Sequence, residues 1–174
     1  MRYFLLTHLC GISHRIWVDE NPQDIRSRHA LAGAYIHTKK YDDAIRHYEV
    51  LYKERENDVA AINNLAWLYQ KTKDDRALSF AEKAFALSGQ RSQTLDTYGW
   101  ILVQDGQLER GLKILRDAYA RESRNAGIRY HLAFALSKLG RVKEAERHLK
   151  EVIRTTSDAE IRGDAERLLK ELGA

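Results

Sequence analysis

A pattern of large and small apolar residues recurs four times between residues 25 and 174, at a spacing of 33 or 34 residues. A fixed period of this length is typical of units that bury their apolar faces only by stacking on one another. It constrains the fold more strongly than any local helix or strand preference. The repeated columns are Leu31-Ala32, Leu65-Ala66, Tyr98-Gly99 and Leu132-Ala133; Ala44, Ala77, Gly111 and Ala145; and Leu51, Ala84, Ala118 and Val152.

The residue types favour helices throughout the chain. There is one proline and there are ten glycines, and Ala, Leu, Glu, Arg and Lys, which are good helix formers, are frequent. We therefore predict an all-α fold, an α-solenoid of about four helix-turn-helix repeats. The small residues of the first two columns would let the two helices of each repeat approach to about 8 Å.

The pattern also predicts how the chain is divided. Residues 1–24 are expected to be an irregular or partial-repeat N-terminal segment. Residues 158–174 are expected to be a C-terminal capping helix, introduced by a capping box from Ser157 to Glu160. The second repeat is one residue short in its turn. The four repeats within 25–157 are 25–58, 59–91, 92–125 and 126–157, with turns at Lys39-Lys40, Lys73-Asp74, Gly106 and Gly140.

Charge and cysteine content exclude several classes of protein. The net charge is +4 and the two signs alternate along the chain, with nine basic and nine acidic side chains in residues 1–58. Nucleic acid is therefore not an expected partner, because phosphate binding needs clustered Lys and Arg. Cys10 is the single cysteine, so neither an intramolecular disulfide nor a cysteine-rich zinc site is possible.

The hydropathy of the chain predicts no membrane span, because no stretch approaches the ~18 to 20 apolar residues that one needs. The N-terminal sequence MRYFLLTHLCGIS has some features of a signal peptide, but Thr7 and His8 interrupt its apolar run. The chain as written is expected to be cytoplasmic. If it is a fragment of a longer protein, a periplasmic or exported location is the alternative.

The column pattern resembles the tetratricopeptide repeat family over about residues 25–157. That family favours Leu at position 7 of its unit, Gly or Ala at 8, Tyr at 11 and Ala at 20. The chain departs from it at position 4, where Arg28 and Arg129 replace Trp or Leu, and at position 27, where Leu51 and Val152 replace Ala. The family's proline is absent from all four units, although Pro22 stands where the proline of a preceding repeat would fall.

The resemblance implies a partner-binding groove lined by the first helix of each repeat. Trp67, Trp100 and Phe134 all fall at position 9, and large aromatic side chains dominate many interfaces. The alternative is that these rings pack sideways between adjacent first helices as core. Asn64 alone matches the family's carboxylate-clamp pattern. The candidate groove residues are Arg26, His29, His37, Asn63, Asn64, Trp67, Gln70, Lys71, Gln93, Asp96, Trp100, Gln104, Tyr130, Phe134 and Lys138.

No residue set in the sequence supports catalysis, and no metal or cofactor is expected. There is no Gly-x-Ser-x-Gly elbow, no glycine-rich phosphate loop and no metal-binding histidine pair. The histidines are interpreted as solvent-facing or locally hydrogen-bonded. They are His8, His14, His29, His37, His47, His131 and His148.

These observations favour a non-catalytic scaffold that binds a peptide segment or helix of another protein. The runs NNLAWLY, LDTYGW and IRYHLAFAL also resemble the later repeats of bacterial proteins that act in exopolysaccharide export and PEP-CTERM sorting. That resemblance implies a carbohydrate-handling role as a first alternative, with the position-9 rings stacking on sugars. Self-assembly into an oligomer is a second alternative.

Overall fold

A computed structural model describes residues 21, 24–88 and 91–173. The predictions about residues 1–20 and Pro22 lie outside the described residues. Within them, all regular elements are α-helices, and the predicted all-α fold class is confirmed. The helices are α1 (Ile25–His37), α2 (Tyr41–Glu54), α3 (Val59–Thr72), α4 (Ala77–Leu87), α5 (Ser92–Gln104), α6 (Leu108–Arg121), α7 (Ala126–Lys138), α8 (Val142–Thr155) and α9 (Ala159–Glu171).

The chain forms two compact units, the first ending at Leu87 and the second beginning at Ser88. In the first unit α1 packs against α2 and α3 against α4, and α2 also contacts α3. In the second unit α5 packs against α6 and α7 against α8, while α9 packs against α8 and α7. We call the first helix of each pair (α1, α3, α5, α7) an A helix and the second (α2, α4, α6, α8) a B helix.

Short polar side chains set where most A helices begin. Asp24, Asp58 and Asn125 precede α1, α3 and α7, and each side chain accepts a hydrogen bond from a backbone N–H of the first turn. Such a cap satisfies a donor that has no partner within the helix. These three capping residues therefore mark where α1, α3 and α7 begin.

Two paired helices of the second unit approach each other closely where Gly99 of α5 faces Gly111 of α6. A Cβ atom added at Gly111 would lie 2.8 Å from the carbonyl oxygen of Gly99 and 2.5 Å from Cγ2 of Val103. A Cβ atom added at Gly99 would lie 2.8 Å from Cγ of Leu115. The two backbones thus touch in the way the small-residue columns predict.

The turns inside the repeats use left-handed backbone conformations. Gly106 and Gly140 have φ of +83° and +73°, as expected of a helix C-terminal glycine. Lys39 and Lys73 occupy the corresponding positions in the first unit with φ of +57° and +58°. A Cβ-bearing residue is strained in this conformation.

Glycine at these two lysine positions should therefore stabilise the first unit. We expect Lys39→Gly and Lys73→Gly each to raise the free energy of unfolding by about 1 kcal/mol. Lys40→Gly is the matched control. Lys40 has φ of −86°, so glycine relieves no backbone strain there and should not raise the free energy of unfolding. Urea unfolding curves of the three variants test this, and equal effects at Lys39 and Lys40 would contradict it.

The second repeat does not have the short turn that the sequence predicted. Its four-residue connection, 73–76, is longer than the three-residue connection 38–40 of the first repeat. The missing residue instead shortens α4, which begins at Ala77, whereas Ala44 is the fourth residue of α2. The Asp74 carboxylate accepts hydrogen bonds from the backbone N–H of Arg76 at 2.9 Å and from its guanidinium at 2.8 Å, which closes the turn.

Arg129 shows why an arginine is accepted at position 4, where the family prefers Trp or Leu. Its guanidinium lies over the Tyr119 ring, 5.3 Å from the centroid, and donates to the Tyr119 hydroxyl at 3.0 Å. It also donates to the Ser123 carbonyl oxygen at 2.8 Å. The aliphatic part of the Arg129 side chain and its planar guanidinium together replace an apolar contact between α7 and the end of α6.

His148 makes the stability of the second unit depend on pH. Its ring meets the Tyr119 ring edge-on at 5.3 Å between centroids. Burial, with smaller effects from Arg129 and Arg147, lowers the pKa of His148 from its usual value of 6.5. The unfolded chain therefore binds this proton more readily, and the free energy of unfolding falls as the pH drops through about 6.5.

We expect His148→Phe to weaken this pH dependence, since phenylalanine keeps an aromatic contact with Tyr119 but does not titrate. The difference in unfolding free energy between pH 7.5 and pH 5.5 should be smaller in the variant than in the wild type. An unchanged difference would show that other groups are responsible.

Helix α9 packs against α7 and α8 of the second unit. Ala165 and Leu168 of this helix are buried against a core that contains Leu149 and Val152 of α8. The cap residue is Asp158, whose carboxylate accepts from the N–H groups of residues 160 and 161, and not Ser157 as the capping-box pattern predicted. Asp158 caps the helix because it stands directly before the first helical residue.

Within the described residues, no helix has the length and apolar character needed to cross a membrane.

Candidate functional site

Four rings form one cluster on the A helices of the second unit. Trp100 of α5 stacks on His131 of α7, with centroids 4.2 Å apart and planes inclined by 23°. Phe134 meets Trp100 edge-on at 5.1 Å, and Tyr130 lies 6.4 Å from both Trp100 and Phe134. All four side chains are partly exposed. We call Trp100, Tyr130, His131 and Phe134 the aromatic cluster.

Helical spacing explains how the cluster is assembled. Tyr130 and Phe134 are four residues apart and share one face of α7, with His131 beside them. Asp96 lies one turn before Trp100 on α5, and its Oδ1 is 2.8 Å from Nδ1 of His131. This hydrogen bond fixes the imidazole ring against the indole. Asp96 and His131 are 20% and 22% exposed, so both remain at the surface.

The cluster also contacts α9, the last helix of the second unit. Tyr130 and Phe134 pack against the core formed by α7, α8 and α9. Burial, with an added effect of the Asp164 carboxylate, raises the pKa of the Tyr130 hydroxyl. The rings therefore make sideways contacts between helices, as the core interpretation expected, while part of each ring remains open to solvent.

The first unit has a smaller aromatic site on α3. Trp67 meets Tyr41 of α2 edge-on at 5.7 Å, and Nζ of Lys71 lies 5.3 Å from the centre of the indole ring. Asn63 and Gln70 flank Trp67 on the same helix. Oδ1 of Asn63 and Oε1 of Gln70 are shielded from solvent and accept no hydrogen bond from the described residues.

His29 takes part in a local polar group of the first unit. Its Nε2 lies 2.8 Å from Oδ2 of Asp58, the residue that caps α3. Burial acts to raise the pKa of Asp58, but hydrogen bonds from the Ala61 N–H and from His29 outweigh it, so the pKa lies below its usual value. The ring of His29 also meets Tyr48 edge-on at 5.7 Å. His29 thus links α1 to the start of α3.

The other candidate residues are dispersed along the A helices. Asn64 is partly exposed on α3. The exposed candidates are Arg26, His37, Lys71, Gln93, Gln104 and Lys138.

His131 is the member of the aromatic cluster that is not among the groove residues predicted from the sequence. His131 stands at position 6 of its repeat, as the candidate Asn64 does in the second repeat, and this shared position is the sequence signal that identifies it. Among the described residues, no group of three or more His, Cys, Asp or Glu side chains could hold a metal ion.

Two family models match parts of the chain. A tetratricopeptide repeat model matches residues 27–59, and a model described as "Anaphase-promoting complex, cyclosome, subunit 3" matches residues 70–152. No curated protein matches the sequence of this chain. Neither family description names an enzyme.

Several solved structures have the same fold. TTC0263, a tetratricopeptide repeat protein of Thermus thermophilus, is 18% identical with a TM-score of 0.77, over 97% of this chain and 94% of that one. MamA (41-end) of Desulfovibrio magneticus RS-1 is 19% identical with a TM-score of 0.69, over 88% and 92%. YrrB, described as a tetratricopeptide repeat protein with an unusual peptide-binding site, is 13% identical with a TM-score of 0.65, over 95% and 86%.

None of these matches points to exopolysaccharide export or PEP-CTERM sorting, so that resemblance is not supported. The fold is that of solved tetratricopeptide repeat structures, and the tetratricopeptide repeat model matches one part of the chain, residues 27–59.

Proposed function

We propose that this chain is a non-catalytic scaffold that binds a segment of another protein on its A helices, with the aromatic cluster as the main contact of the second unit. The tetratricopeptide repeat fold is that of protein interaction scaffolds. The observation that carries the proposal is the partly exposed cluster centred on Trp100.

The cluster has the physical properties of an interface hot spot. Aromatic rings bury a large area on binding and lose little conformational entropy, because they have only two side-chain torsions. Here the contacts of Trp100 with His131 and Phe134 hold the rings in place before any partner arrives. Ordering this surface on binding would therefore cost little free energy.

A second feature supports a protein partner. Asp96 is hydrogen-bonded to His131, Lys138 lies over the Phe134 ring, and the exposed Gln93 and Gln104 lie seven residues before and four residues after Trp100 on α5. Protein interfaces commonly combine an aromatic centre with a polar rim. The peptide-binding site named for YrrB is a property of that protein and gives a precedent within the same fold.

Trp100→Ala should strongly weaken binding without unfolding the chain. Short peptides selected from a displayed random library on the wild-type protein should lose at least ~10-fold in affinity for this variant, as is usual for a hot-spot residue. The measurement is fluorescence anisotropy of the labelled peptides, with circular dichroism to show that the helix content is retained.

Tyr52→Ala is the matched control, because Tyr52 is a partly exposed aromatic residue on the B helix α2. It should leave peptide binding unchanged. If Trp100→Ala binds the selected peptides as well as the wild type does, the proposal is wrong. Oligosaccharides titrated in the same assay test the carbohydrate alternative, and light scattering over a range of concentrations tests self-assembly.

A further inference from the structure

The three aromatic residues at position 9 differ in what lies over their rings. At Trp67 and Phe134, the side chain of the lysine four residues later lies over the ring. Nζ of Lys71 lies 5.3 Å from the Trp67 centroid, and Nζ of Lys138 lies 5.0 Å from the Phe134 centroid. Each of these pairs is a cation–π contact within one helix.

Trp100 lacks such a lysine. The residue four positions later is Gln104, and in the described part of the chain no lysine or arginine lies over the Trp100 ring. One side of the indole is covered by the stacked ring of His131. Phe134 meets the ring edge-on, and the Trp100 side chain as a whole is partly exposed, so a cation from another molecule would meet the indole at the part that these rings leave uncovered.

A carboxylate stands beside the same ring. Asp96 lies one turn before Trp100, and its Oδ1 forms a hydrogen bond with Nδ1 of His131. The other oxygen, Oδ2, has no hydrogen-bond partner among the described residues. A cation that meets the indole can therefore also pair with Asp96. A carboxylate and an aromatic face together are the groups that recognise lysine and arginine side chains.

The charges around the rest of the cluster are compatible with this ligand. The carboxylates of Asp164 and Glu171 act on the Tyr130 hydroxyl, and Arg167 opposes them. Arg167 is paired with Asp164 on its own helix. Nζ of Lys138 lies over the Phe134 ring, 5.0 Å from its centroid.

We propose that Trp100 and Asp96 form a subsite for a lysine or arginine side chain of the bound protein segment. This inference rests on the proposed function, because it names the chemistry of one residue of that partner. In this subsite His131 is a positioning residue. It holds the indole by stacking and Asp96 by a hydrogen bond.

The variant Gln104→Lys tests the subsite directly. It places a lysine four residues after Trp100, as Lys71 and Lys138 are placed after their rings, so the new ammonium group should occupy the indole. Peptides selected on the wild-type protein should be enriched in Lys or Arg, and their affinity should fall roughly three- to tenfold in this variant.

Two controls separate this effect from general charge repulsion. Ala120→Lys adds the same charge at an exposed position of the B helix α6 and should change the affinity less than about twofold. Replacing the lysine of a selected peptide by glutamine should weaken its binding to the wild type but not its binding to Gln104→Lys.

The outcomes distinguish this inference from the proposed function. If the selected peptides depend on Trp100 but show no enrichment in Lys or Arg, and Gln104→Lys binds them normally, the cation subsite is wrong while the proposed function stands. If no selected peptide depends on Trp100, both are wrong.

Discussion

Gly111→Ala should lower the free energy of unfolding of the second unit by about 3 kcal/mol, which corresponds to a fall in Tm of roughly 10 °C. The added methyl group would lie 2.8 Å from the Gly99 carbonyl oxygen and 3.0 Å from the Val103 backbone nitrogen. Because both atoms belong to the backbone, α5 and α6 must move apart to accept it. The core between these helices then loses its close packing.

Other glycines of the chain provide the controls. At Gly99 the nearest atom is Cγ of the Leu115 side chain, at 2.8 Å, with the Leu115 backbone nitrogen at 3.1 Å, so Gly99→Ala should cost less than Gly111→Ala. At Gly163, inside α9, an added Cβ meets nothing within 4 Å. Gly163→Ala should therefore stabilise the protein by about 0.5 to 1 kcal/mol, because alanine favours the helix. Equal melting temperatures for the Gly111 and Gly163 variants would contradict the close approach of α5 and α6.

Deletion of residues 158–174 should destabilise the second unit by several kcal/mol, on the order of 3 kcal/mol or more. Ala165 and Leu168 leave the core, and water reaches the otherwise buried Leu149 and Val152. The truncated chain is also expected to aggregate, because its last repeat would present an apolar face to solvent. Thermal unfolding followed by circular dichroism measures the loss.

A point variant makes the same test without truncation. Leu168→Ala removes one buried side chain of α9 and should cost about 2 to 5 kcal/mol. Glu166→Ala, at an exposed position of the same helix, should cost less than about 0.5 kcal/mol. If both the truncation and Leu168→Ala leave the melting temperature unchanged, α9 does not close the core of this unit.

Much of the fold could be predicted from the sequence because the repeated columns correspond to packing contacts. The pairing of Gly99 with Gly111 follows from the periodicity, since small residues recur where two helices cross. The turn glycines, Gly106 and Gly140, follow from their position at a helix end. These features depend on local geometry that every repeat shares.

Features that depend on single residues could not be predicted in the same way. The late start of α4 arises because Asp74 and Arg76 close the turn in a conformation that the repeat pattern does not contain. The capping residue is Asp158, one residue later than the predicted Ser157. A sequence pattern places a helix end only to within one or two residues, so it does not distinguish these two positions.

The candidate site was predictable in its aromatic residues but not in their contacts. Position 9 placed Trp100 and Phe134 on the A helices. His131 stacks on Trp100 and forms a hydrogen bond with Asp96. Both contacts depend on how α5 and α7 lie side by side in three dimensions. The sequence alone does not indicate which helix a histidine will contact, so it predicts only a solvent-facing or locally hydrogen-bonded role for His131.

The most direct test of the binding surface is the indole N–H signal of Trp100 in a ¹⁵N–¹H NMR spectrum, assigned by its absence in Trp100→Ala. During titration with a selected peptide, this signal should shift in a saturable way, together with the backbone amides of Asp96, Tyr130 and Phe134. If the Trp100 signal stays fixed while amides of the B helices α6 or α8 shift, the partner binds elsewhere and the proposed site is wrong.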